Sequence, residues 1–237
     1  MRKFSKRVTI FVAVFSSIFV LLAGGILTIT LWPEPEFYIY NLGVDIAPYD
    51  DDPYRADNFH DNEHFYGFFC FGYDISETKP CSCFEYMIDK NASVYSPCDG
   101  VIKRIEYQPE TNDYSILIVS GTLKSRLDLG TYYKIDVDHV TNIKVKSGDK
   151  VKVGQILGNP GPWEGNIGRV EIDIINNKVH YAPFQFCHPT VKTRLEQKIS
   201  KLMSDIETRY GDPNIYDEAR MIGAGSYLKE IPESIYH

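Results

Sequence analysis

The chain has 237 residues, a length that suits one domain with appendages or two small domains at most. Hydrophobic residues make up 43% and charged residues 24%, which excludes a wholly disordered protein and predicts a packed core. The formal net charge is -7, but four of the 25 basic residues precede the first acidic residue, Glu34. The rest of the chain has 21 basic and 32 acidic residues, a charge balance of -11. That balance excludes a general nucleic-acid binder, which needs a basic face.

An uncharged stretch of 24 residues runs from Thr9 to Trp32. A helix that spans a bilayer needs about 20 apolar residues, whereas the apolar core of a cleavable signal peptide has only about 7–15. The stretch therefore predicts an uncleaved single-pass anchor in the cell membrane, with a cleaved signal peptide as the alternative. The basic residues before it are expected to stay in the cytoplasm, which places the rest of the chain outside.

The remaining chain divides by its patterning. Residues 34–66 are rich in Pro, Asp, Asn and Tyr and predict a membrane-proximal linker that packs locally. Residues 67–190 alternate short β-rich runs with turn signals, which predicts a mostly β sandwich or barrel. Residues 191–237 begin with apolar residues spaced three and four apart and predict an amphipathic helix of about five turns. This helix is expected to end near Gly211, before a weakly patterned tail.

Five cysteines in an exported chain are compatible with disulfides. Cys81 and Cys83 are too close in sequence to pair readily with each other, so Cys98 and Cys187 are their plausible partners. Cys70 would then remain unpaired. The alternative, in which all five cysteines are reduced and buried, stays open at this point.

Glycines mark sharp bends in two similar stretches, residues 96–102 (SPCDGVI) and 146–158 (KSGDKVKVGQILG). A G-x-D element precedes them at 72–74, His139 closes a strand between them, and a glycine-preceded strand follows at 168–174. In this order the chain resembles the lysostaphin or LytM type of zinc endopeptidase, metallopeptidase family twenty-three. The resemblance covers about half the chain and implies a barrel-sandwich hybrid with a duplicated hybrid motif.

The resemblance also implies a site. That family holds zinc through a His four residues before an Asp, through the Asp, and through the second His of an H-x-H pair. Laid on this chain, the metal ligands become Cys70, Asp74 and Glu171. The two positions that assist the zinc-bound water and the oxyanion become His139 and Arg169. Only Asp74 and His139 carry the residue types of the family.

The altered residues change the expected chemistry. Arg169 and Glu171 are two residues apart on a predicted strand and therefore share a face. Cys, Asp and Glu can all ligate zinc, but a guanidinium beside them repels a metal ion and cannot act as a general base. We therefore expect Arg169 to replace the charge of the metal by pairing with Asp74 or Glu171, in a site without a cofactor.

These departures favour a membrane-anchored, non-catalytic LytM-like domain that binds cell-wall peptide or regulates a cell-wall hydrolase. The alternative is a divergent zinc endopeptidase that cleaves peptidoglycan cross-links, with His139 polarising the zinc-bound water. A periplasmic adaptor of an efflux or secretion system is a third interpretation. It is less favoured because residues 100–148 are strand-like, where an adaptor needs a long helical hairpin.

Overall fold

The structure, a computed structural model, describes residues 6–46, 67–76, 79–217 and 230–232; the side chains of 6–13, 74–76 and 230–232 are not described. The described helices are α1 (Lys6–Leu31), α2 (Leu123–Leu127) and α3 (Pro189–Tyr210). The strands are β1 (Phe68–Phe69), β2 (Asp74–Ser76), β3 (Lys79–Pro80), β4 (Phe84–Asp89), β5 (Val94–Tyr95), β6 (Gly100–Gln108), β7 (Asp113–Val119), β8 (Lys134–Thr141), β9 (Lys150–Val151), β10 (Ile156–Glu164), β11 (Ile167–Asn176), β12 (Val179–Tyr181) and β13 (Glu230–Pro232). The predicted mostly β class, with one helix before the strands and one after, is confirmed.

Helix α1 contains the uncharged stretch. Its segment Val14–Leu31 has a mean hydropathy of 2.3, and none of it is buried against the rest of the protein. By length and composition this helix suits a membrane span or a signal sequence.

Eleven of the described strands form one antiparallel sheet in the order β1-β4-β11-β10-β8-β7-β6-β9, with β5, β12 and β13 added beside this path. Strands β2 and β3 form a separate two-stranded sheet. Strand β11 is central. It pairs with β4 along one side, and along the other it pairs first with β10 and then with β8. Residues on β11 therefore have direct neighbours on both β4 and β8.

Alternation along these strands separates a core face from a second face. The core face carries apolar side chains from β4, β8 and β11: Phe84, Tyr86, Ile88, Ile135, Val137, Val170, Ile172 and Ile174. The second face of the same strands carries charged residues. Strand β4 is absent from the sequence prediction, and its residues 84–88 are all buried. Met87 interrupts its apolar–polar alternation, which weakens the signal of a strand.

The segment after α1 belongs in part to the core. Ile39 and Leu42 are fully buried, and Ile39 forms a β-bridge with Cys187. The predicted linker at 34–66 thus contributes its first residues to the folded domain. Its remainder, residues 47–66, lies outside the described residues.

Helix α3 confirms the predicted amphipathic helix. It ends at Tyr210, and the next residue, Gly211, caps it with a φ of 68°, the left-handed conformation typical of a helix C-terminus. The predicted apolar face is buried at Leu195, Ile199, Leu202 and Ile206.

None of the five cysteines, all of which the structure describes, forms a disulfide; they are buried thiols. The structure therefore does not contain the expected disulfides of Cys81 and Cys83 with Cys98 and Cys187. The Sγ atoms of Cys81 and Cys83 lie 3.5 Å from each other.

Candidate functional site

Three carboxylates meet on the charged face of the sheet. Glu171 on β11 lies directly opposite Glu85 on β4 and directly opposite Asp138 on β8. Like charges opposite each other on neighbouring strands destabilise a sheet, and Glu85 is only 4% exposed. The pairing of β11 with β4 and β8 is therefore favourable only if a positive charge lies among these carboxylates.

Arg169 supplies that charge from the same strand. Its Nε lies 2.8 Å from Oε1 of Glu85, in an ion pair that is not aligned as a hydrogen bond. Its Nη2 pairs with Oε1 of Glu171. The guanidinium thus contacts both buried carboxylates, and the ring of Trp163 lies 5.3 Å from its central carbon. Arg169 makes the expected contact with Glu171, and its second partner is Glu85.

His139 lies between Glu171 and a fourth carboxylate, that of Asp113. Its Nδ1 lies 2.8 Å from Oδ2 of Asp113, whose side chain is only 1% exposed, and its Nε2 lies 3.4 Å from Oε1 of Glu171. The hydroxyl of Thr111 donates to the other oxygen of Asp113 at 2.6 Å. An ion-paired chain therefore runs from Asp113 through His139 and Glu171 to Arg169.

A bulge in β8 directs His139 into this chain. On neighbouring β7, Ile116 and Tyr114 pair with Val137 and Val140, so β8 has one residue more between the two pairs. His139 lies in this bulge, and its φ of 56° falls in the left-handed region that non-glycine residues seldom adopt. Simple alternation would place His139 on the core face with Val137.

Close packing behind His139 leaves no room for a side chain at residue 161. A Cβ atom on Gly161 would lie 2.5 Å from Oδ2 of Asp113 and 3.1 Å from Cβ of His139. Glycine at this position of β10 therefore permits the Asp113–His139 contact.

The contacts shift the pKa values of the site. Burial opposes the charge on His139, but the hydrogen bond and charge of Glu171 raise its pKa to about 9. Burial likewise opposes the charge on Glu171, but His139 and Arg169 lower its pKa to about 2. Burial, followed by the charge of Glu171, raises the pKa of Glu85 to about 7.

The thiols of Cys81 and Cys83 lie beside these charged residues. Cys81, Cys83 and Glu85 are buried, with their potential ligand atoms within 4.8 Å of one another, and Asp138, His139 and Glu171 form a second such group. The Sγ of Cys83 donates to Oε2 of Glu171 at 3.5 Å. The hydrogen bond with Cys81 and burial raise the pKa of Cys83 well above its usual value, so its thiol stays protonated.

The structure brings together three of the five residues that the resemblance assigned: His139, Arg169 and Glu171. Cys70 is fully buried in the apolar core and belongs to neither group of potential ligands. Its assignment as a ligand beside Glu171 is therefore corrected. The backbone of Asp74 pairs with Pro80 in a separate two-stranded sheet, and the side chain of Asp74 lies outside the described residues.

The sequence analysis did not assign six residues of this site: Cys81, Cys83, Glu85, Asp113, Asp138 and Trp163. A sequence signal was available for Cys81 and Glu85. They have the spacing that the family pattern requires, because Cys81 precedes Glu85 by four residues. This spacing was the available signal. It was overlooked because β4 was not predicted and because the G-x-D element at 72–74 offered a residue of the expected type.

The residues present do not fit a zinc ion bound between the strands. Glu85 and Glu171 would have to supply ligands, yet both contact the guanidinium of Arg169. A guanidinium keeps its positive charge at any physiological pH, so a metal ion would have to displace it. The potential ligand group of Cys81, Cys83 and Glu85 meets the same obstacle, because it shares Glu85 with Arg169.

Comparisons with known proteins identify structural neighbours only. No family model matches the chain, and no curated protein matches its sequence. Lysostaphin in solution is similar at 12% identity and a TM-score of 0.37, covering 61% of this chain and 49% of that one. The catalytic domain of lysostaphin from Staphylococcus simulans is similar at 18% identity and a TM-score of 0.37, over 47% and 79% of the two chains.

A zinc-containing peptidase from Vibrio cholerae is also similar, at 20% identity and a TM-score of 0.38, covering 60% of this chain and 37% of that one. These proteins are of the kind that the motif order resembles. The match spans about half of lysostaphin and less of the Vibrio peptidase. At such low identities and TM-scores, none of these likenesses bears on the activity of this chain.

Replacing Arg169 by Met tests its role in the sheet. The substitution R169M removes the cation that contacts both buried carboxylates and leaves Glu171 with His139 as its basic partner. We expect the free energy of unfolding to fall by about 3–5 kcal/mol. The control is R104M, because Arg104 pairs with Glu106 at the surface, where such pairs contribute about 1 kcal/mol or less. Chemical denaturation in detergent measures both; equal effects would contradict the assigned role.

The pKa of His139 can be observed directly. Its folded pKa of about 9 lies above the ordinary value of 6.5. Its contribution to stability is thus complete below about pH 6.5 and is lost as the pH rises through 9. In an NMR titration, we expect one imidazole to titrate near pH 9 and to be missing from the H139N variant. A His139 midpoint near 6.5 would show that Glu171 does not hold the imidazolium.

Proposed function

We propose that the chain is a non-catalytic relative of the lysostaphin-type peptidases that binds cell-wall peptide, and that this binding serves to regulate a cell-wall hydrolase. The observation that carries the proposal is the position of Arg169. Its guanidinium contacts Glu85 and Glu171, the carboxylates that a catalytic metal would need. A side chain of the polypeptide thus provides the positive charge of the site.

The other groups at the site also lack a hydrolytic role. A general base must be unprotonated at the working pH and free to accept a proton. His139 is paired at both ring nitrogens with carboxylates, and its pKa of about 9 keeps it protonated at neutral pH. Arg169 cannot accept a proton at all. These residues are suited to hold charge in place rather than to activate water.

The surface beside the ion pairs supports peptide binding. The ring of Trp163 is 39% exposed and lies against Arg169. The further carboxylates of this face, Asp136 and Asp173, are already hydrogen-bonded to Ser115 and His180, so Trp163 is the group that remains open to a ligand. An exposed indole suits a peptide that carries apolar groups.

We further propose that α1 remains as a single-pass anchor in the cell membrane, with the β domain on the extracytoplasmic side. The support is the length and hydropathy of Val14–Leu31, together with the cluster of basic residues that precedes it in the sequence.

Sedimentation with purified peptidoglycan tests the proposed binding. We expect the full chain to co-sediment without releasing soluble muropeptides, and a chelator to have no effect. The W163A variant should bind more weakly, whereas Y107A removes an aromatic ring elsewhere that is even more exposed and should bind normally. Release of muropeptides that a chelator abolishes would instead support the divergent zinc endopeptidase. Failure of the chain to co-sediment would contradict peptide binding.

A further inference from the structure

We propose that α2 and the end of α1 together form a membrane-docking surface, through which the β domain rests on the lipid bilayer. We define this docking surface by Trp32, Leu123, Arg126 and Leu127. The inference rests on the proposed anchoring of α1 and goes beyond it, because an anchor alone leaves the domain free to take any orientation.

The first observation is the exposure of apolar side chains on the short helix α2. Leu123 is 55% exposed and Leu127 is 56% exposed. Residues four apart lie on the same face of a helix, so the two leucines form one apolar edge. At the end of α1, the side chains of Leu31 and Trp32 are also exposed. Exposed apolar groups that are clustered in this way mark an interaction surface.

The second observation is that α2 is fixed to the chain that leaves α1. The hydroxyls of Thr122 and Ser120 donate to the carboxylate of Glu34 at 3.0 and 3.2 Å. Thr122 is also the N-cap of α2. A Cβ on Gly130 would lie 3.1 Å from Cγ2 of Thr30, so the two segments are in contact. The docking surface is thus one continuous unit with the end of α1.

The occupant that fits this surface is a lipid bilayer. If α1 spans the membrane, Trp32 lies at the outer interface, where tryptophan is favoured. Because α2 is attached at the same level, Leu123 and Leu127 reach the boundary between headgroups and acyl chains. Arg126 is exposed between the two leucines and can extend to lipid phosphates, as basic residues do at membrane surfaces.

The nearest acidic group on α2 does not oppose this arrangement. Asp128 caps the C-terminal end of α2, and its carboxylate pairs with Nζ of Lys103 at 2.8 Å. Lys124 adds a further basic side chain, next to a cleft of about 610 Å³ that Trp32, Pro33 and Leu123 help to line. Glu34 lines the same cleft, so Lys124 and Arg126 leave an excess of one positive charge beside the apolar edges, which suits anionic lipid.

Docking has a consequence for the site. Val101 of β6 lies beside α2, since a Cβ on Gly121 would contact it at 2.8 Å. At the other end of β6, Gln108 pairs with Asp113 and contacts Asp138 of the site. Val101 and Gln108 are seven positions apart along the strand, a distance of about 23 Å. With α2 on the bilayer, the ion-paired site lies at the far end of the domain.

Fluorescence quenching by brominated phosphatidylcholine tests the docking surface in the full chain. Both native tryptophans are replaced (W32F, W163F), and a single new one is introduced as L127W. The matched control is Y107W in the same background, because Tyr107 lies near the far end of β6. Each chain is reconstituted into vesicles of phosphatidylcholine and phosphatidylglycerol brominated near the glycerol end of the acyl chains. A third chain, W163F alone, reports on Trp32.

We expect strong quenching of the tryptophan at 127 and of Trp32, and none at 107. Quenching of Trp32 without quenching at 127 would overturn the docking surface and leave the anchor in place. The absence of quenching at all three positions would overturn the anchor as well. Equal quenching at 107 and 127 would also overturn the proposal, because the domain would then have no fixed orientation.

Discussion

The ion pairs of Arg169 are the constraint on which the site depends. Antiparallel pairing places Glu171 between Glu85 and Asp138, an arrangement that is unfavourable unless a cation lies among them. Arg169 and His139 meet this need from two strands, β11 and β8. In a zinc site the metal ion neutralises its carboxylate ligands. Here two side chains of the chain itself provide the charge, and the sheet can form without a cofactor.

The cations that neutralise these carboxylates differ chemically from a catalytic metal ion. A bound metal can activate water because it keeps an open coordination position, whereas a guanidinium only donates hydrogen bonds. The Asp113–His139 contact would orient a catalytic histidine, but here the second ring nitrogen faces Glu171. What remains accessible is the edge of the cluster near Trp163. This geometry supports the proposed recognition of a peptide without hydrolysis.

Much of the fold follows from sequence periodicity. The hydropathy of α1, the apolar spacing of α3 and the glycine turns around β6 and β10 were sufficient to predict these elements. Strand β4 was not predicted because Met87 interrupts its apolar–polar alternation, and Cys81 and Glu85 were missed with it. The orientation of His139 depends on a bulge, which alternation alone does not reveal. The nearby G-x-D element then directed the ligand assignment to Cys70, which the structure places in the core.

The zinc content of two engineered chains tests most directly whether the charge of Arg169 prevents zinc from binding at this site. Both carry the ligand types of the family at the observed positions, through C81H, E85D and E171H. One retains Arg169, and the other also carries R169H. After exposure to zinc and removal of the excess, we predict no stoichiometric zinc in the native chain or in the engineered chain with Arg169, and one zinc in the chain with R169H. One equivalent of zinc in the native chain, or in the engineered chain with Arg169, would contradict the account.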